Sequence, residues 1–135
     1  MIDYVYLDSL VANEFAVEID GEPATGVFRV LGFTAYQNDR NQPRQVTVTK
    51  MVQRDGSMPF NRWIRDAEAQ GDAARRDVAI IAVDDGVPVR RWTLKNACIQ
   101  SVSYSDFDSS SIEMIEEHIK IAYDAVVHEW LAAGN

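Results

Sequence analysis

Four oxygen-bearing residues stand at the spacing of a calcium loop: Asp106, Asp108, Ser110 and Glu117 fill its first, third, fifth and twelfth positions, where a hard cation takes its ligands. The sixth position needs glycine for a sharp turn and holds Ser111 instead, so the stretch reads as a polar turn rather than an ion site. His118 and His128 have no second histidine or cysteine at ligand spacing, and neither is assigned a metal. Cys98 is the only cysteine. It can form no intrachain disulfide and reads as a small buried hydrophobe, not a nucleophile. The acid pairs Glu116-Glu117 and Asp84-Asp85 read as solvated faces, because an acid/base couple needs one carboxyl pushed to a different pKa and nothing adjacent does this. The glycines are scattered singly, so no loop cradles a phosphate. No catalytic residue, metal ligand or cofactor is assigned, and a binding or scaffold role is expected rather than an enzyme.

The composition bounds what must hold these residues. With 135 residues, 47% of them apolar and 25% charged, the chain suits a single folded domain over 1–135 with one core. No apolar run approaches the roughly 20 residues that span a bilayer, and the acidic 1–8 stretch is the opposite of a basic signal region. Synthesis in the bacterial cytoplasm and no membrane partner are expected. The net charge of −8 argues against a surface that grips nucleic acid, since such binding relies on Lys and Arg replacing counterions. The charge is uneven: 36–66 carries Arg40, Arg44, Lys50, Arg54, Arg62 and Arg65 against three acids, while both ends of the chain are acidic. Segments of opposite sign can attract one another within a subunit or between neighbours.

The elements follow from periodicity. Phe15, Val17 and Ile19 alternate with polar residues on a half-buried strand, and Asp20-Gly21 with Pro23 predicts a hairpin into 26–33. The stretch 36–44 is almost devoid of apolar side chains and reads as a solvated, partner-facing arm within about 34–46. Val46-Thr47-Val48-Thr49 returns to strand. Ser57 is placed to cap a helix over about 58–70 whose face carries Phe60, Trp63, Ile64 and Ala67, with Gly71 to stop it. Two strand-like runs flank Asp84-Asp85-Gly86, a hairpin signal, with Pro88 marking a strand start at an edge. Residues 96–104 read as a further strand after a bend. The closing segment stays ambiguous: Ile112, Ile115, Ile119, Ala122 and Val126 fit a helical stripe with Ser110 and Glu113 as a capping box, whereas Ile119, Ile121 and Tyr123 alternate as a strand does. Trp63 and Trp92 read as core, and Trp130, beside Val126, Val127 and Leu131, as an exposed contact.

Taken in order, several stretches resemble the tail tube protein family of contractile-tail phages and phage-like injection systems, R-type pyocins and extracellular contractile particles among them. They are Phe15-Ala16-Val17-Glu18-Ile19-Asp20-Gly21, Val46-Thr47-Val48-Thr49 leading to Trp63-Ile64, Arg91-Trp92-Thr93-Leu94-Lys95-Asn96-Ala97, Asp106-Phe107-Asp108-Ser109-Ser110-Ser111, and Glu117-His118-Ile119-Lys120-Ile121-Ala122-Tyr123. The resemblance runs from Asn13 to Val126. It implies a mainly β fold with one helix, an antiparallel sandwich or barrel of the tail-tube type shared with the secretion ring protein Hcp. It also implies hexameric rings stacked into a hollow inner tube, and it makes the closing segment a strand.

Expected partners are copies of the chain itself, sheath, baseplate and spike proteins, and DNA or protein cargo that passes through the bore without specific binding. Candidate subunit or ring contacts are Tyr36, Asp39, Arg40, Arg44 and Glu117. Candidate lumen-facing residues are Glu18, Glu116, His118 and Lys120, which would make the bore acidic, and candidate sheath-facing ones are Arg62 and Arg65, free on the outer helix. Glu117 shares a face with Ile115, Ile119 and Ile121 and is expected to meet an arginine or backbone N–H groups, within the subunit or across an interface. The family's long arm usually carries glycines and 36–45 has none, which leaves a tube-end or baseplate-initiating homologue, or an Hcp-like secreted ring, as alternatives. A small-ligand-binding β-barrel is the alternative from another class.

Overall fold

The computed structural model of the chain describes residues 9–131. The expectation that 1–8 is no signal region lies outside them. The strands are β1 (Phe15–Ile19), β2 (Glu22–Pro23), β3 (Val27–Leu31), β4 (Gln45–Met51), β5 (Arg76–Asp84), β6 (Val87–Tyr104), β7 (Glu116–Ala122) and β8 (Ala125–Trp130), with the helix α1 (Pro59–Gln70) between β4 and β5. All pairings are antiparallel, in the order β2-β1-β5-β6-β7-β4-β3, with β8 also on β6. The closing segment is therefore strand, in two pieces.

Strand β6 joins two sheets. Its first half lies between β5 and β8, and its second half pairs with β7, which continues to β4 and β3. β7 and β8 run one after the other along the same side of β6, so the three make a long ribbon bent once. The bend sits at Asn96, where β5 skips from Val78↔Leu94 to Arg76↔Ala97 and leaves Lys95 and Asn96 opposite Asp77 alone. Such a bulge turns a strand. Asn96 adopts φ 55°, a left-handed geometry that asparagine tolerates better than most residues. Its amide N–H donates to Asp77 Oδ1 (2.9 Å), its carbonyl accepts from Arg75 (3.0 Å), and its side chain donates to Asp124 Oδ2, across the break between β7 and β8.

The hairpin expected between β1 and 26–33 does not form. Asp20 and Gly21 do turn the chain with positive φ, but the returning strand β2 is two residues long and β1 takes β5 as its full partner. Pro23 has no N–H to extend the ladder, and Gly26 at φ 90° sends the chain to the other sheet, where β3 pairs with β4. The Asp85-Gly86 hairpin joins β5 and β6 with both residues at positive φ, the arrangement that matches strand twist.

One core lies between the sheets. Val48, Trp63, Val78, Leu94, Ala97, Ile119 and Ile121 are fully buried there. The helix adds Phe60, Trp63 and Ile64 from one face. Trp63 donates from Nε1 to Ala74 O at 2.8 Å, so its polar handle is satisfied in the interior. Ser57 is not the cap: its N–H and hydroxyl both donate to Asp55 Oδ1, at 2.9 and 2.6 Å, and Met58 precedes the helix without a side-chain cap. Asn61 ties the same turn down through Asp55 O (2.8 Å), and Gly71 ends the helix at φ 60°. Cys98 is buried. No helix among the described residues is long and apolar enough to cross a membrane.

Candidate functional site

The four-stranded sheet of β3, β4, β7 and the second half of β6 has two unlike faces, because neighbouring side chains on a strand point opposite ways. Val30, Val48, Ile119 and Val102 line up inward, as do Val46, Ile121 and Ile99. The outward rows are Leu31, Thr47, Lys120 and Ser101, then Arg29, Thr49, His118 and Ser103. Short hydroxyl side chains dominate this face. Its charges are Arg29 and Lys120 against Glu116, which lies 3.9 Å from Arg29 and 3.6 Å from His118 Nε2. Glu116, His118 and Lys120 thus share one face as their spacing requires, but that face is not acidic. Glu18 is elsewhere, on the outer side of the other sheet, with its carboxylate 2.8 Å from Arg91. The four residues do not form the acidic surface expected of them.

Glu117 points inward and is buried. Its partner is Lys50 of the same subunit, neither an arginine nor a set of backbone N–H groups: Nζ lies 2.7 Å from Oε1, with the lysine side chain fully enclosed. The contact is ionic but off the line of a hydrogen bond, so Oε1 accepts none. Lys50 Nζ donates instead to Met51 O (3.0 Å) and Gln53 Oε1 (3.4 Å). Tyr104 donates its hydroxyl to Glu117 Oε2 at 2.9 Å. Desolvation and then the adjacent carboxylate push the phenol up to about 12. Both charges are used inside the fold, so Glu117 is not available as a subunit contact and Lys50 does not add to the basic surface.

The calcium-like spacing does not converge. Ser110 gives its N–H and hydroxyl to Asp108 Oδ1 at 2.9 and 2.7 Å, which holds that carboxyl below its usual range, while Glu117 faces the core. Among the described residues no group of three or more His, Cys, Asp or Glu could hold a metal. On the helix, Arg65 is exposed, but Arg62 is not free. It donates to both carboxylate oxygens of Glu22 at 2.8 Å.

The two ends of this sheet differ. Residues 32–44 connect β3 to β4 at one end, and 105–115 connect β6 to β7 at the other. In the first, Tyr36, Asp39 and Arg40 are exposed, and Arg44 is half-buried where Tyr123 N–H donates to its carbonyl (3.1 Å). In the second, Phe107 and Met114 line an open depression of about 740 Å³, and Ile112 is fully exposed.

A feature absent from the sequence reading lies on β6 and β8. Trp92 stacks on His128 with centroids 5.1 Å apart, Trp130 packs on His128 at 4.8 Å with its ring tilted by 36°, and the Arg90 guanidinium sits 3.9 Å from the Trp130 ring while its Nε donates to His128 Nε2 at 3.0 Å. The alternation of Val126, His128 and Trp130 was the available signal, hidden by the helical stripe that also fitted.

A search of curated proteins found no match. Solved structures match the fold along nearly the whole chain. A chain of the PVC sheath-tube complex, an extracellular contractile injection system in its extended state, superposes with a TM-score of 0.74 at 17% identity, covering 97% of this chain and 100% of that one. The tube-terminating cap of the anti-feeding prophage gives 0.74 at 17%, covering 97% and 95%. Hcp2 from Salmonella typhimurium gives 0.58 at 13%, covering 90% and 89%. The model of the T4-like virus tail tube protein gp19 family matches residues 11–127, and the chain belongs to that family.

Proposed function

We propose that this chain is the structural subunit of the inner tube of a contractile phage tail or injection particle, assembling as hexameric rings that stack around a bore through which DNA or protein passes. One observation carries the reading beyond family membership. Among the described residues the four-stranded sheet ends in two unpaired edges, β3 on one side and 98–104 of β6, paired with β7, on the other. Unpaired edges expose backbone donors and acceptors that another strand can satisfy, and joining the two in successive copies makes a closed, head-to-tail ring with no edge left. The polar face of Thr47, Ser101 and Ser103 would then line the bore, together with Glu116, His118 and Lys120. Short hydroxyls, with only Arg29 and Lys120 against Glu116 for charge, give cargo little to adhere to. The helix, with Arg65 exposed, would face outward toward a sheath.

The glycine-free arm at 36–45 favours a second reading, a tube-end homologue that caps or starts the stack. Electron microscopy of concentrated purified protein tests both. Long tubes are expected of a repeating subunit and isolated rings of a tube-end protein, whereas a monomer at every concentration overturns the proposal.

A further inference from the structure

We infer that the outward face of the four-stranded sheet, as the wall of the bore, holds an acidic protein as its cargo rather than DNA. The inference rests on the tube reading and names the class of cargo.

The sign of that face decides what can move along it. Register places Arg29 and Lys120 on the side opposite the core, with 47% of the Arg29 side chain exposed and Lys120 exposed beside the short side chains of Thr47 and Ser101. Glu116, 3.9 Å from Arg29, is the one carboxylate on this face among the described residues. Two cations against one carboxylate leave each copy one net positive charge when His118 is neutral. Glu18, which would have made the wall acidic, is paired with Arg91 on the other sheet.

DNA suits this wall neither as a sliding nor as a bound cargo. A duplex slides freely where the wall repels its phosphates, and a wall of net positive charge does not repel them. A duplex is gripped where many Lys and Arg replace its counterions, on the order of 6–10 phosphate contacts for a strong site. Here one net charge per copy is spread among hydroxyls. Residues 105–115, at one end of the sheet, add Asp106, Asp108 and Glu113 with no base, which repel a dense polyanion more than a protein whose acids are dispersed.

An acidic protein matches the wall in two respects. Its surface carboxylates meet Arg29 and Lys120, and opposite potentials select which partner is accepted more than they set how tightly it binds. Phe28 and Leu31, 38% and 45% exposed on β3, offer apolar contact beside the charge, with the Arg29 guanidinium 5.2 Å from the Phe28 ring centre. A sugar-phosphate backbone has no group to pair with such side chains, whereas a protein surface is itself largely apolar. The hold is weak in each copy. It repeats around a ring and along a tube, where weak contacts add through multivalency, so cargo is retained without being locked in place.

Co-elution of assembled rings or tubes with fluorescent probes on gel filtration tests this. The probes are the acidic copolymer poly(Glu,Tyr), poly-glutamate, and a short DNA duplex of similar total charge. The copolymer should bind more tightly than poly-glutamate, which lacks apolar groups, and about tenfold more tightly than the duplex. Lys120→Glu, on β7 away from both sheet edges, should weaken copolymer binding about tenfold, as like charges then face each other. Glu116→Gln should strengthen it, and Arg65→Glu on the helix should leave it unchanged. Electron microscopy checks that each variant still assembles. A duplex or poly-glutamate bound as tightly as the copolymer, a copolymer that does not bind, or binding that Lys120→Glu leaves unchanged or Arg65→Glu weakens as much would each overturn the inference while leaving the ring intact. Wild-type protein that forms no ring would overturn the proposed function and this inference with it.

Discussion

The buried pair Lys50–Glu117 sets the sharpest test at the level of single residues. Two charges removed from water repay their desolvation only with good geometry and further hydrogen bonds. Here Tyr104, Met51 O and Gln53 supply them. Lys50→Met leaves an unpaired carboxylate in the core and should cost roughly 3–5 kcal/mol in urea unfolding, and Glu117→Leu should cost a similar amount. Lys50→Met combined with Glu117→Leu should recover most of the loss, because filling the site with apolar groups is often neutral or stabilising. Equal, additive losses would mean that the two side chains do not act as a pair. From sequence, the odd position of an acid on the inward face of β7 was legible. Its partner was not, since Lys50 lies 67 positions away and only the β4–β7 register, Lys50↔Glu117, brings the two opposite each other.

Among the elements, the bend in β6 does the most to shape the molecule, because it carries one strand from the first sheet into the second. Asn96→Val should destabilise by roughly 1–2 kcal/mol or more, since a β-branched residue resists the left-handed geometry. Asn96→Gly should cost less, about 1 kcal/mol, as it relieves the backbone and loses only the bond to Asp124. Chemical denaturation of the two variants checks the order. Asp77 holds the other side of the bend, and its carboxyl titrates below the ordinary range, first through the hydrogen bond from Lys95 and then through the Asn96 amide. A depressed folded-state value stabilises fully above the unfolded value, about 3.9, and is lost as pH falls through the folded one. Asp77→Asn should therefore flatten the loss of stability on acidification in this range and lower stability near neutrality. A pH profile of thermal midpoints that keeps the wild-type slope would exclude Asp77 as a contributor. The helix, the Asp-Gly hairpin and the continuation after the bend were all readable from spacing, because each depends on neighbours in sequence. The partner of β1 was not, because Pro23 and Gly26 together send the returning chain to another sheet.

For the whole molecule, the proposed ring and a stack of such rings should respond differently to salt. Backbone pairing along strand edges carries little net charge, whereas the loops at the two ends of the sheet differ in sign, with Asp106, Asp108 and Glu113 on 105–115 and Arg40 and Arg44 against Asp39 on 32–44. Screening shortens from about 10 Å at 0.1 M salt to about 3 Å at 1 M. Tubes should therefore shorten into rings as salt rises, and rings should persist, as judged by light scattering and microscopy. Rings that dissociate at high salt while stacks survive would reverse the assignment of edges and ends.

What the sequence determined by itself was local or compositional: a mainly β domain with one amphipathic helix, the turn glycines, and a family resemblance spread over most of the chain. Each rests on periodicity or on residue types a few positions apart, which a linear reading carries intact. Only the tertiary structure decided that Glu117 is spent on Lys50, that Arg62 is spent on Glu22, that Glu18 stands apart from Glu116, His118 and Lys120, and that the closing segment splits into β7 and β8 around Asp124. These depend on which distant elements meet and, for the strands, in what register, where a shift of one residue would turn the strand side chains among them to the opposite face.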